Sequence, residues 1–242
     1  MKIRIVAVGA ALLSVLACTA PSGATGRTVI GDIAWKAVPA ADGSPHLRIS
    51  RKTSSSDVSL RRPEFGGASR ALQAPVGPMA FAVRHEAGTL ACSGRLKAAG
   101  EGEGLCDFTS DPAFETRLAK RGLMPDRRAD LLTMLLVDAT IELADGLTRE
   151  GMKPKDSDEL VAAAALDVTP DYVRDLRSGA LLLADLDDAI ACKALGVDGA
   201  YVRGLAAAGY RKLSADAVVS MKATGVSPGY PRTMNRARGG GL

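Results

Sequence analysis

The sequence predicts an α+β protein: a small N-terminal β domain followed by an α-solenoid of short helix pairs with a 29-residue period. Three observations carry that expectation. Between Gly31 and Ser110 the helical period is missing, and β-forming stretches such as "GDIAWKAV", "HLRISRK", "MAFAVRH" and "TLACSGRLK" alternate with Gly, Pro and Ser clusters. From Asp111 onward, residues 29 apart say the same thing. Ahead of both lies a charged and then apolar N-terminus.

That N-terminus reads "MKIRIVAVGAALLSVLAC". Lys2 and Arg4 precede a 13-residue apolar run, Ile5 to Ala17, short of the ~20 residues that span a bilayer. Residues 1–17 are therefore expected to be a signal peptide. Its end, "VLAC", resembles a bacterial lipobox, and the resemblance implies cleavage before Cys18 and diacylation of its sulfur; ordinary cleavage near Ala20 is the alternative. Two acyl chains would give stable anchoring. Residues 18–28 would then be a tether, and the protein would face the periplasm on its lipid or, without one, be soluble there.

Composition narrows the function classes. Of 242 residues, 47% are hydrophobic and only 4% aromatic, which suits helices packed through small side chains and offers few anchors for a deep cofactor pocket. The charge balance is 31 basic to 27 acidic residues, and Lys2 and Arg4 belong to the leader, so the mature chain is almost neutral. Nucleic acid is not an expected partner.

Within the β domain, residues 29–110, five to seven short strands are expected. "SRKTSSSDVSLRRPEFGGASRALQAPVGP" reads as a long connecting loop, mobile near Ser54 to Ser56. Cys92 and Cys106 are each seven residues from Ala99, so a hairpin folded about Ala99 opposes them directly. A cross-strand disulfide is expected, with two buried thiols as the alternative. "GEGEGL" reads as the Gly-rich turn of that hairpin. "RHEAG" begins like a zinc-protease motif with His85 and Glu86, but the second ligand position holds Thr89, and His46 is the only other histidine. Neither a metal, another cofactor nor a catalytic residue is expected.

The helical region, residues 111–231, is read from columns. Asp111, Thr140, Thr169, Asp198 and Ser227 are N-cap types, with Pro following at 112, 170 and 228. Three residues on stand Phe114, Leu143, Tyr172, Tyr201 and Tyr230, and four further on Leu118, Leu147, Leu176, Leu205 and Met234. Caps at Asp156, Asp185 and Ser214 open a second helix whose apolar columns include Leu131, Leu160, Ala189 and Val218. Another column, Met134, Ala163, Cys192 and Met221, makes Cys192 a core residue. Pro231 interrupts the last helix, and residues 232–242 read as a flexible basic and Gly-rich tail.

Units such as "LSADAVVSMKATGVSPGY" and "DVTPDYVRDLRS", preceded by "FAVRHEAGTLACSGRLKAAGEGEGLCDFTSDPAF", resemble the extracytoplasmic region of bacterial antirepressor-type sensor metallopeptidases and of related stand-alone exported proteins. The likeness covers most of residues 46 to 230 and omits the peptidase part. It implies architecture and carries no catalytic residue.

The expected function is a non-enzymatic envelope lipoprotein that acts as an interaction scaffold for an unknown envelope protein. A periplasmic ligand-binding or sensory module is the alternative, and an unrecognised hydrolase a third. Arg174, Arg203 and Arg232 share one repeat position and are the candidate partner-binding ladder, against a plain solvated face on which Asp171 offsets Arg174.

Overall fold

The computed structural model describes residues 27–40, 44–210 and 212–227. Cys18, Arg232, Pro231, Met234, the leader, most of the tether and the tail lie outside the described residues. Among the described residues, the β region folds as one six-stranded antiparallel sheet in the order β3-β2-β1-β6-β5-β4. The strands are β1 Val29–Pro39, β2 Pro45–Arg51, β3 Ser54–Val58, β4 Gly77–His85, β5 Gly88–Ala98 and β6 Glu101–Ser110. Two three-stranded meanders are thus joined edge to edge through β1 and β6.

Alternation decides which face is buried. Leu47, Ile49, Ile33, Trp35, Leu90, Leu96, Phe81, Val83 and Phe108 all point inward and are buried, while Lys36, Arg48, Arg95 and Glu103 line the open face. Helices cover only the inner face: α1, Gly66–Ala71, packs on β4, and α3, Asp130–Val137, meets β3, β5 and β6.

"GEGEGL" supplies only its first residue, Gly100, to the hairpin turn. The turn lies at residues 99 and 100, and Gly102 and Gly104 sit inside β6. They are needed there because the Trp35 indole lies over them: a Cβ on Gly104 would come within 2.5 Å of Trp35 Nε1 and 2.0 Å of the Ser93 carbonyl. Gly94, opposite Gly104, clears the same space. Trp35 is 1% exposed, and its Nε1 donates to the Ser93 carbonyl at 3.0 Å. A bare backbone lane replaces side chains so that one large ring can lie flat.

The serine-rich stretch is not a loop throughout. Ser54–Val58 is a strand held in register by β2, from Val58 opposite Leu47 to Ser54 opposite Arg51. It is followed by a 3-10 turn, Pro63–Phe65, and then α1. Strand propensity is low for serine, and the ladder supplied by β2 overrides it.

The remaining helices are α2 Pro112–Ala119, α4 Ile141–Arg149, α5 Ser157–Ala165, α6 Pro170–Ser178, α7 Leu186–Ala194, α8 Gly199–Ala207 and α9 Ala215–Ala223. Their starts follow the cap residues. Asp111, Thr140, Thr169 and Asp198 each accept a hydrogen bond from the backbone N–H three residues on, and Asp156, Asp185 and Ser214 do the same. Each such bond satisfies one of the orphan donors of a first turn.

The expected α-solenoid of helix pairs is corrected. Among the described residues there are nine helices beside the six-stranded sheet, and consecutive helices are not joined as pairs. The principal contacts run from each helix to the one after next: α2 to α4, α6 and α8 in one series, α3 to α5, α7 and α9 in the other. The first helix also lies within the β region. The apolar columns therefore meet across alternate helices. One apolar core runs without a break from the sheet through Phe114, Leu131 and Leu135 to Leu160. The fold is α+β.

Gly179 illustrates the packing between alternate helices. Its φ is ordinary, and its lack of a side chain is required by contact: a Cβ there would meet Val202 Cγ1 at 2.6 Å. The left-handed residue that turns the chain is the next one, Ala180, at φ 65°.

Candidate functional site

A cavity of about 860 Å³ opens between the sheet edge and the helices. On one side are Ser56, Asp57 and Ser59, at the end of β3 and just beyond it. On the other are the C-terminus of α3 with Asp138, the start of α4 with Thr140 and Leu143, and the end of α5 around Ala163. A second cavity of about 260 Å³ continues it along Lys52 to Ser56 and the flank of α3, sharing Ser56 and Leu136. Together they form a groove that follows β3.

Arg62 builds the groove's inner end. Its guanidinium donates to the carbonyls of Leu136 and Leu135 at 2.6 and 3.2 Å, pairs with Asp138 Oδ1 at 3.2 Å, and lies 5.2 Å from the centre of the Phe65 ring. A cation is favoured there because the last carbonyls of α3 lack helical partners. Asp138 ends that helix at φ 66°, a left-handed position usually given to Gly or Asn. Its carboxylate then accepts from His85.

His85 is committed to the fold. Its side chain is 3% exposed; Nδ1 accepts from the Ala87 N–H at 3.0 Å, so the proton sits on Nε2, which donates to Asp138 Oδ1 at 3.1 Å. Burial pulls its pKa below the ordinary imidazole value, against the opposing pull of Asp138. Glu86 is used in the same way: one carboxylate oxygen accepts from the Ile141 N–H at 2.5 Å, and the other pairs with Arg117 at 3.1 Å. "RHEAG" is therefore the clasp that fastens the tip of the β4–β5 hairpin to α2, α3 and α4.

The sequence candidates fall in different places. Cys92 and Cys106 stand opposite each other in the ladder with Cα atoms 4.0 Å apart and form a disulfide. Arg174 pairs with Glu150 at 2.5 Å and with Asp171, while Arg203 pairs with Asp175 at 2.6 Å and the Ser178 hydroxyl at 2.9 Å. These bonds tie α6 to the end of α4, and α8 to α6. The two arginines occupy one column but use partners at different repeat positions, and neither lines the groove. Cys192 is buried, with its thiol pushed up to about 11 by that burial. Among the described residues no group of three His, Cys, Asp or Glu side chains is placed to hold a metal ion.

Sequence reasoning did not single out Arg62 or Asp138, and it read Ser54 to Ser56 only as a mobile loop. No periodic signal marks Arg62 or Asp138, because each works through neighbours far away in the chain. A recurrent pattern it also passed over was available: Tyr172 and Tyr201 donate to the carbonyls of Val197 and Val226 at 2.7 and 2.6 Å, and Lys193 and Lys222 each stand 4.5 Å from the corresponding ring centre. All three columns repeat at 29 residues.

The sheet, its helical cover and the groove define an α+β protein with an accessible cleft along one sheet edge. No family model matches the chain, and no curated protein or solved structure matches it significantly.

Proposed function

We propose that the protein is a non-enzymatic bacterial envelope lipoprotein, exported through residues 1–17 and anchored at Cys18, that holds a partner protein of the envelope. The observation that supports a binding role is the groove beside β3. It is long and open, its β3 side presents small hydroxyls, and the helical side contributes aliphatic groups such as Leu136 and Leu143. A small anionic ligand is a poorer fit, because the only arginine in the larger cavity, Arg62, already serves two carbonyls and Asp138. The residues with a catalytic look, His85 and Glu86, are held by the fold. The likeness to the extracytoplasmic region of sensor metallopeptidases supports placement outside the cytoplasm. Among the described residues no helix is long and apolar enough to cross a membrane.

A photoreactive amino acid placed in turn at Ser56, Thr140 and Asp167 tests the role in the native envelope, with Arg95 on the open sheet face as reference. The expected result is one protein adduct common to the groove positions and absent from Arg95. Groove positions that give no adduct, or the same smear as Arg95, would end the binding reading. Anchoring is tested separately: a fatty-acid label should enter the wild type and be lost in Cys18→Ser, and an unlabelled wild type excludes the lipoprotein.

A further inference from the structure

We infer that the smaller cavity, between the β2–β3 turn and α3, binds a phosphate monoester, with Arg51 and Lys52 holding its charge and the hydroxyls of Ser54, Ser56 and Thr133 its oxygens. The inference goes beyond the partner-protein reading and does not need it. The cavity measures about 260 Å³, and both its walls carry polar groups. In the ladder Arg51 stands opposite Ile33 on one side and Ser54 on the other, and Ser56 stands opposite Ile49. Directly opposed residues share a face of the sheet. Ile33 and Ile49 are buried, so Arg51, Ser54 and Ser56 all lie on the face that the helices cover. Thr133 lines the same cavity from α3.

These groups have donors to give. Among the described residues no hydrogen bond engages the Lys52 ammonium or the hydroxyls of Ser54, Ser56 and Thr133. Arg51 uses Nε alone, donating to the Gly31 carbonyl at 3.2 Å. That bond fixes the guanidinium and leaves its two terminal nitrogens as a fork, the geometry that grips phosphate. Lys52 sits at φ 53°, a turn position that favours glycine. Strained backbone of this kind gathers at ligand sites.

Charge decides the class. The cations of the cavity are Arg51, Lys52 and Arg127, and its one carboxylate is Asp130. Arg127 and Asp130 satisfy each other through bonds of 3.1 and 3.2 Å. Arg51 and Lys52 remain. A phosphate monoester carries about −1.5 to −2 at pH 7 and three acceptor oxygens, which suits two cations and three hydroxyls. A carboxylate brings less charge and fewer oxygens. The larger cavity differs, because its arginine, Arg62, already serves two carbonyls and Asp138. Ile49, Leu132 and Leu136 complete the lining of the smaller one and take the organic part of the ester.

Glycerol 3-phosphate is the soluble probe, followed on the full chain by its phosphorus NMR signal and by calorimetry. Saturable binding is expected, with acetate weaker by about tenfold or more. Lys52→Gly, which relieves the left-handed turn, should weaken binding by about tenfold or more without lowering the melting temperature. Lys36→Ala, on the open sheet face, should leave binding unchanged. Phosphatidylcholine vesicles with and without phosphatidic acid distinguish the source, using Cys18→Ser protein so that acyl chains play no part. Capture that requires phosphatidic acid and is lost in Lys52→Gly assigns the site to a lipid headgroup, and binding of glycerol 3-phosphate alone assigns it to a soluble ester. Binding of neither probe overturns the inference. So does binding that Lys52→Gly leaves intact, or acetate held as tightly as the ester. Photo-crosslinked adducts from Thr140 and Asp167 would leave the partner reading standing whichever way the phosphate test falls.

Discussion

At the scale of single residues, His85 shows how the environment reverses a simple expectation. An imidazole beside a carboxylate ordinarily gains basicity, yet burial dominates here and the pKa falls below 6.5. The groups facing it are Asp138, Glu86 and Arg62, the last of which also lowers it. Because the folded pKa is depressed, the unfolded chain binds the proton more readily. Stability should then fall as pH drops through about 6.5 toward the lower folded value, and level off below it. His85→Gln, which can still donate to Asp138, should flatten that dependence between about pH 7.5 and 5.5 in urea midpoints, a range chosen above the carboxylates. Parallel slopes in the two proteins would mean that another group is responsible. Gly104 makes the second residue-scale case: Gly104→Ala should cost roughly 1 to 3 kcal/mol or more in denaturant unfolding, since neither the Ser93 carbonyl nor the Trp35 ring has free space to retreat.

At the scale of elements, legibility tracked how local the determining interaction was. Caps are local, and the sequence-read N-caps from Asp111 to Ser214 hold their helices through a bond to the third residue on. The β5–β6 hairpin is local too, and counting from Ala99 placed Cys92 opposite Cys106. Replacing both by Ser should lower stability by roughly 3 kcal/mol, the chain-entropy value for a loop of this length, and non-reducing peptide mapping should find the two linked in the wild type. An unchanged denaturation midpoint would show that the hairpin is held by its ladder alone. Elements fixed from afar were illegible. β3 exists because β2 lies beside it, and the glycines of β6 look like a turn until Trp35, from a strand some seventy residues earlier, is laid over them. The groove belongs to this second kind, joining β3, Arg62, α3 and α5 through contacts that leave no period in the chain.

At the scale of the whole molecule, the pattern at 29 residues was visible, but its assembly was not. Columns state which side chains are buried without stating which helix buries them, so helix pairs were expected where alternate helices meet. The consequence is a graded core. The sheet and the helices up to α5 share one continuous apolar cluster, whereas Leu176, Tyr201, Leu205 and Val218 belong to a separate one further along. Leu205→Ala should cost about 2 to 5 kcal/mol locally, lowering amide protection in α8 and α9 while β5 and β6 keep theirs. Hydrogen exchange followed by mass spectrometry distinguishes this from uniform loss, which would mean that the clusters unfold together.

Cys192 gives the molecule a clock. With Cys92 and Cys106 bonded to each other, it is the one free thiol among the described residues, and it sits in the same cluster as Leu205. In a Cys18→Ser background, a thiol reagent can reach it only when α7 parts from its neighbours, so the colour developed with time counts openings of the distal helices and ignores the sheet. Leu205→Ala should make that clock run faster.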